Sequence, residues 1–254
     1  MLGKLMKYEF LSMGRIFLPM YGALMAVALI NRLLTLLPHS APVVISTVIA
    51  SMMIAAVAVI TLILILQRFM KNLLSDEGYL MMTLPVKTDY LILSKMFVAT
   101  IFTLASYIVA ALTIFILASS DFAYISTNIQ AFFSDLESRY FLIIFQAFIL
   151  LLLTTFASIL LLYACMSLSL FFNKHRGLIS FGFFVGITTI MQIISAIIIA
   201  TSAYLAFDHP TFHTMDGFAA GQVVMLITIA ITLIVCAIFY SITRFMLKRR
   251  LNLL

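Results

Sequence analysis

The stretch that decides the fold is residues 140–173, which read YFLIIFQAFILLLLTTFASILLLYACMSLSLFFN. It lies between Arg139 and Lys174 and contains no charged side chain. A transmembrane α-helix needs about 20 predominantly apolar residues, so the stretch is long enough to cross a bilayer. Its apolar residues run continuously instead of alternating with a period of two, which favours a helix over a strand of a membrane barrel.

Five further apolar stretches flank this one. Together they predict six transmembrane helices, at about residues 16–37, 43–67, 96–118, 140–170, 178–203 and 218–243. The first span is the least apolar, because it includes Asn31 and Arg32. We expect these two side chains to face a polar cavity or to reach the membrane interface. The predicted fold class is an all-α polytopic membrane protein with one transmembrane domain over residues 1–254.

The composition excludes a soluble globular protein. Apolar residues make up 65% of the chain, charged residues 9%, and the mean hydropathy is +1.22. A soluble domain has roughly half apolar and a quarter charged residues, and it could not bury this excess in one core. The two cysteines, Cys165 and Cys236, lie inside apolar runs, where we expect small buried side chains and neither a disulfide framework nor a metal site.

The positive charges predict the orientation. With six spans placed, thirteen of the fifteen Lys and Arg residues fall on the side of both termini, and only Arg32 and Arg139 fall on the other. The positive-inside rule therefore predicts a multi-pass protein of the cell (plasma) membrane with both termini in the cytoplasm. The net charge of +6 follows from this asymmetry and requires no nucleic-acid partner. We find no pattern of a cleavable signal peptide.

Two amphipathic segments are predicted outside the spans. Residues 1–15 place Lys4, Lys7 and Arg15 on one side of a helix and apolar side chains on the other, which is typical of an interfacial helix at the cytoplasmic surface. Glu9 falls within the apolar side; we favour a carboxylate that extends to the edge, and a buried or partner-facing carboxylate is the alternative. The outer loop, residues 122–140, predicts an extracellular amphipathic helix that either caps an exit path or seals the bundle.

The cytoplasmic loop of residues 68–95 predicts a short helix from Asp76 to Thr83. Ser75 or Asp76 can cap its first amides, and Pro85 ends it. Tyr79, Leu80 and several further apolar side chains leave more apolar surface than a solvated connector requires, so we expect this loop to contact another protein.

The loop carries a resemblance to a known family. Asp76-Glu77-Gly78-Tyr79-Leu80, then Leu84-Pro85-Val86, and then Asp89-Tyr90-Leu91-Ile92-Leu93-Ser94-Lys95 resemble the cytoplasmic loop of ABC-2 type permeases. These are the six-span membrane subunits of ATP-driven exporters, in which a Glu-Gly, a Leu-Pro and a Lys at the end of the loop recur in this order. The surface helix, the six spans and the basic tail of residues 244–253 also match, so the resemblance covers nearly the whole chain.

The resemblance implies a division of labour between subunits. A separate cytoplasmic ABC ATPase would bind ATP and magnesium, and this subunit would form the path, paired with a second permease subunit in a homodimer or heterodimer. The helix at residues 76–83 would be the coupling helix, inserted in a groove of the ATPase. Its proposed coupling residues are Asp76, Glu77, Gly78, Tyr79, Leu80, Met82, Leu84 and Pro85, and Glu9 is a further candidate for contact with the ATPase or another interface.

The chain lacks the motifs of a catalytic subunit. It has no Gly-x-x-x-x-Gly-Lys-Ser/Thr loop, no His-Glu-x-x-His and no Gly-x-Ser-x-Gly, so we predict no catalytic residue, no cofactor and no metal in this chain. A secondary transporter or a non-transporting membrane scaffold is the alternative, although five of the six runs lack the ionisable residues that couple ions. Gln146 and Gln192 are candidates for lining a cavity or for bonding one helix to another. Arg32 is a further candidate for lining a cavity.

The apolar residue types give one indication of the cargo. Met, Phe and Leu dominate the apolar residues, which favours export of hydrophobic or amphipathic peptides. Small drugs, lipids and ions stay open as alternatives.

Overall fold

The computed structural model describes residues 2–35, 40–70, 88–118, 138–172, 176–208 and 217–251. Six long helices account for almost all of these residues, which contain no strand. The helices are α1 (Leu2–Leu34), α2 (Ser40–Phe69), α3 (Thr88–Ala118), α4 (Ser138–Leu168), α5 (Arg176–Asp208) and α6 (Gly217–Leu251), and a 3-10 turn, Ser169–Phe171, follows α4.

Each of the six helices is long and apolar enough to cross a membrane. Helices are favoured because the bilayer core offers no water to unpaired amides and carbonyls, and a helix satisfies both within its own segment. The predicted all-helical fold is thus confirmed for the described residues, with six helices that are long and apolar enough to span a membrane. The predicted coupling helix at 76–83 and almost all of the predicted outer helix at 122–140 lie outside the described residues.

The N-terminal segment differs from its prediction. We expected an interfacial helix that ends at about residue 15, followed by a turn into the first span, but α1 is one continuous helix through Pro19 to Leu34. Proline removes one backbone donor from a helix. A break between the two segments would leave several more backbone groups unpaired, which explains why the helix continues.

The chain forms two compact units, Met1–Glu137 and Ser138–Leu254. In the first unit, α1 packs along α3 and against α2, and α2 also packs against α3. The buried residues of α1 recur at helical spacing and form one stripe: Met13, Phe17, Leu24, Ala28 and Asn31. The ring of Phe17 stacks on Phe102 of α3 with centroids 4.8 Å apart, so aromatic packing joins α1 and α3 near the middle of the unit.

The second unit is built on α4, which packs chiefly against α6 and also against α5. The buried part of α4 is centred on Tyr163, and α6 contributes Phe239, Thr243 and Leu247 at a spacing of four residues. The thiol of Cys236 lies 3.7 Å from the carbonyl oxygen of Leu153 across this contact. In α5, no side chain is buried in the apolar segment Gly177–Ile197.

Candidate functional site

Glu9 and Arg68, which are partly buried, and Lys95, which is buried, form a cluster at one end of the first unit; we call it the Glu9 triad. Each helix of the unit supplies one member: Glu9 comes from α1, Arg68 from α2 and Lys95 from α3. Arg68 Nη1 donates to Glu9 Oε2 at 2.9 Å, and Lys95 Nζ donates to Glu9 Oε1 at 2.5 Å. Arg68 Nη2 also donates to Ser12 Oγ, one turn beyond Glu9, at 2.6 Å. Each oxygen of the Glu9 carboxylate therefore accepts a hydrogen bond from a positively charged side chain.

The triad is largely removed from water. The side chains are 13% exposed for Glu9, 19% for Arg68 and 4% for Lys95. Removing charges from water is costly, and a buried pair repays the cost only with good geometry and further hydrogen bonds. Here one carboxylate is shared by two cations, so the triad carries one excess positive charge.

The triad joins the chain on both sides of the segment 70–87, which is predicted to be a cytoplasmic loop. Arg68 lies in the last turn of α2, and Lys95 lies about two turns after α3 begins at Thr88. The residues between these helices, 70–87, contain the proposed coupling segment. Glu9 thus bonds α1 to the two helices that lead into and out of this loop.

A cavity of about 160 Å³ adjoins the triad. We call it the Glu9 cavity. Its polar wall consists of the three triad members with Ser12 and Ser94, and the rest of its lining is Leu5, Tyr8 and Leu91. A cation-rich wall beside apolar side chains suits a small anion or the polar end of an amphiphile.

Two further polar clusters lie along the same helices. Tyr21 Oη of α1 donates to the carbonyl oxygen of Phe102 at 2.9 Å and lies 2.6 Å from Ser106 Oγ of α3. Ser106 is in turn 3.2 Å from Thr61 Oγ1 of α2. This second cluster again takes one residue from each helix. Hydrogen bonds of this kind join membrane helices and contribute roughly 0.6–2 kcal/mol each.

The third cluster surrounds Asn31 near the other end of α1. The buried amide nitrogen Nδ2 donates to Ser46 Oγ at 2.5 Å and to Thr47 Oγ1 at 3.0 Å, both on α2. Asn31 is 22 residues from Glu9, and Ser46 is 22 residues from Arg68. With a rise of 1.5 Å per residue, the Glu9 triad and the Asn31 cluster are about 33 Å apart. This separation is close to the roughly 30 Å thickness of a bilayer hydrocarbon core, which predicts a position for the triad at one membrane interface.

The structure corrects the favoured interpretation of Glu9. We expected its carboxylate to extend to the edge of the apolar side, but it is largely removed from water and bound to two cations of its own chain. The physical reason is that Arg68 and Lys95 compensate the charge inside the protein better than a partly apolar surface would. Asn31 was expected to face a polar cavity or to reach the membrane interface, but it is buried and its amide donates to Ser46 and Thr47 of α2, a contact between helices that neither prediction named.

The other predicted polar residues are not brought to this site. Arg32 is half-buried and does not line the Glu9 cavity. Gln192 is exposed on α5. The side-chain oxygen of Gln146, on α4, is inaccessible to solvent and has no hydrogen-bond partner within the described part of the chain.

The proposed coupling residues, Asp76 to Pro85, lie outside the described residues. Within the described ranges no group of three or more His, Cys, Asp and Glu side chains could hold a metal ion.

Sequence reasoning missed the partners of Glu9. A signal was available: an acidic residue on an apolar helix face, with Arg68 and Lys95 at the loop ends of the two following spans, indicates compensation between helices. The Tyr21 cluster had only a weak signal, because isolated Thr and Ser residues are common in membrane helices and usually bond to the preceding turn of their own helix.

No protein-family model, no curated protein and no solved structure matches this chain.

Proposed function

We propose that this chain is the membrane-spanning permease subunit of an ATP-driven exporter of the ABC-2 type. A separate ABC ATPase would bind ATP and magnesium in the cytoplasm, and a second permease subunit, identical or different, would complete the path through the plasma membrane. Hydrophobic or amphipathic peptides are the proposed cargo. Six apolar membrane-length helices and the loop motif from Asp76 to Pro85 support this proposal.

The Glu9 triad is the observation that carries the proposal furthest. A permease driven by a separate ATPase must pass movement at its cytoplasmic loop to the helices that line the path. Glu9 bonds α1 to Arg68 and Lys95, which belong to the helices on either side of that loop. A force on residues 70–87 would therefore act on α1 as well as on α2 and α3.

The buried triad suits this role because it resists separation. Parting Glu9 from either cation would leave uncompensated charge in a medium of low dielectric constant, so the three helix ends should move as one body. The Tyr21 cluster adds a second bond between the same helices about 18 Å along α1. The helices would tilt together instead of sliding past one another.

The first experiment tests docking. A Tyr79→Asp/Leu80→Asp double variant places charge in the proposed apolar contact, and its copurification with the ATPase in mild detergent should weaken on the order of 100-fold. A Tyr79→Phe/Leu80→Met variant keeps the apolar surface and should copurify normally. Both variants should insert normally into the membrane, because the six spans are unchanged.

The second experiment separates docking from coupling. Glu9→Gln should leave copurification with the ATPase intact but lower transport per ATP hydrolysed, because the triad would no longer join α1 to the loop. Lys7→Gln, an exposed change on the same helix, is the control. ATP hydrolysis should be absent from the isolated chain and appear with its partner.

Three results would contradict the proposal. These are normal export and copurification by the doubly charged loop variant, robust ATP hydrolysis by the isolated chain after removal of contaminants, and failure of any ATPase to copurify with the chain from its own membranes. The last result would favour a secondary transporter or a membrane scaffold.

A further inference from the structure

We propose that the Glu9 cavity binds one phosphate group, which is either inorganic phosphate or the phosphodiester of an anionic phospholipid. This inference goes beyond the transport role, and it concerns the isolated chain without an ATPase. It rests on charge, unused hydrogen-bond donors and space.

The first argument is charge. Arg68 and Lys95 share the single carboxylate of Glu9, so the triad has one positive charge in excess. An excess charge that is largely shielded from water is costly unless another group compensates it. A phosphodiester carries one negative charge and would neutralise the site, and inorganic phosphate would do the same with its first charge.

The second argument is the supply of donors. The Lys95 ammonium has three N–H donors, and among the described residues Glu9 Oε1 is its single hydrogen-bond acceptor. Arg68 has five N–H donors, and among the described residues it uses one on Glu9 and one on Ser12. Ser12 accepts from Arg68, which leaves its own hydroxyl hydrogen to donate. The Lys95 side chain is 4% exposed, so its remaining donors have little contact with bulk solvent outside the Glu9 cavity.

These donors match phosphate chemistry. A phosphate group offers several acceptor oxygens around one centre, whereas a carboxylate offers two in a plane. An Arg guanidinium binds two phosphate oxygens side by side, and a Lys ammonium adds a point charge. Arg68, Lys95 and Ser12 lie on the wall of one cavity and could donate to different oxygens of one phosphate group.

The third argument is space and access. The cavity volume of about 160 Å³ is several times the roughly 30 Å³ that a water molecule occupies in the liquid, so a tetrahedral anion fits. Tyr8 lines the cavity and is 72% exposed, so the wall reaches the protein surface and gives an anion a route of entry. Next to it on α1, Phe10 and Leu11 are exposed apolar side chains that the acyl chains of a lipid could contact.

The test measures binding to the full chain purified in an uncharged detergent. One arm titrates inorganic phosphate and follows the dissociation constant. The other arm adds phosphatidylglycerol, with phosphatidylcholine as the zwitterionic reference, and counts retained lipid by native mass spectrometry. Binding in the first arm alone identifies free phosphate as the source, and selective retention of phosphatidylglycerol identifies the lipid. Either result supports the site, and binding in neither arm overturns it.

Three variants, each of which removes one charged side chain, test whether phosphate binds in the Glu9 cavity. Arg68→Gln removes the excess charge and should weaken binding about tenfold or more, whereas Glu9→Gln doubles the excess and should tighten binding about tenfold. Arg15→Gln removes one positive charge from an exposed position of α1 outside the cavity and should change the dissociation constant less than twofold.

We expect Arg68→Gln to weaken phosphate binding and Glu9→Gln to tighten it. Poor folding would weaken binding in both variants, so it cannot produce this pair of results. If Arg68→Gln elutes as an aggregate, Lys95→Gln replaces it, and Glu9→Gln still has to tighten binding. Equal weakening by Arg68→Gln and Arg15→Gln would assign the binding to general surface charge and overturn the proposal. Weakening by Glu9→Gln would do so as well.

Discussion

Three buried charges in the first unit do not contribute equally to its stability. Glu9 is the shared partner, so removing it leaves Arg68 and Lys95 as two neighbouring cations that no other carboxylate compensates within the described ranges. Removing Lys95 leaves the Glu9–Arg68 pair balanced. Breaking a buried ion pair from one side costs about 3–5 kcal/mol, because the remaining charge stays buried and unpaired.

The first prediction follows from this asymmetry. Glu9→Gln should lower the free energy of unfolding by about 3 kcal/mol, and Lys95→Met, which keeps the apolar stem, by about 1 kcal/mol or less. Thermal unfolding of the purified chain in detergent measures both. Lys7→Met, at an exposed position of α1, should change the stability by less than about 0.5 kcal/mol. A larger loss from Lys95→Met than from Glu9→Gln would contradict the shared-carboxylate description.

Gln146 provides a second prediction at the residue scale. Its side-chain oxygen is buried without a hydrogen-bond partner within the described residues, and such a group costs about 1–3 kcal/mol. Gln146→Met removes the polar atoms at similar size and should stabilise the isolated chain by about 1 kcal/mol in the same unfolding assay. Gln192→Met, on the exposed side of α5, is the matched control and should have little effect. Destabilisation by Gln146→Met would show that the amide oxygen has a partner.

At the scale of elements, α1, α2 and α3 are joined by alternating polar and apolar layers. The Glu9 triad, the Tyr21 cluster and the Asn31 cluster are separated by apolar layers that include Phe17, Leu24 and Ala28. Lipid is as apolar as the helix surfaces, so the hydrophobic effect gives little preference for one neighbour over another. Close packing and the polar layers therefore have to fix the rotation and the axial position of each helix.

The prediction at this scale concerns the aromatic layer. Phe17 is fully buried and stacked on Phe102, while the next residue, Leu18, is 70% exposed. Phe17→Ala should lower the free energy of unfolding by on the order of 2 kcal/mol, less than a soluble core would lose, because the lost term is packing and not transfer from water. Leu18→Ala should cost less than about 0.5 kcal/mol. Equal losses in thermal unfolding would contradict the observed helix packing.

For the whole molecule, the placement of six spans predicts an uneven distribution of positive charge between the two sides of a membrane. With the six spans placed, thirteen of the fifteen Lys and Arg residues are expected on the side of both termini. The positive-inside rule and the proposed docking of an ATPase both predict that this side faces the cytoplasm.

Accessibility of inserted tags tests this arrangement. Tags at residues 1, 80, 175 and 254 should be accessible from the cytoplasm in intact cells, and tags near residues 130 and 212 from outside. Permeabilised cells, in which every tag should react, provide the control for expression. A tag at residue 80 that is accessible from outside would end the proposal of an ATP-driven permease, because the ATPase and ATP are cytoplasmic.

The sequence by itself determined that this chain has six apolar membrane-length helices. That information is local, because each apolar stretch must satisfy its own backbone bonds in lipid whatever its neighbours are. The bounds of α1 differ from the prediction, because the interfacial segment and the first span form one helix. The polar character of Asn31 could also be read locally, although its partners on α2 could not.

Only the tertiary structure decided which polar side chains meet. Glu9 lies 59 residues from Arg68 and 86 residues from Lys95 along the chain, and each of these residues alone is compatible with a position at the membrane edge. Their meeting depends on the rotation and axial position of three helices, which are set by packing among all three. Hydrophobicity does not encode these two quantities, because a lipid-facing side and a protein-facing side of a membrane helix are both apolar.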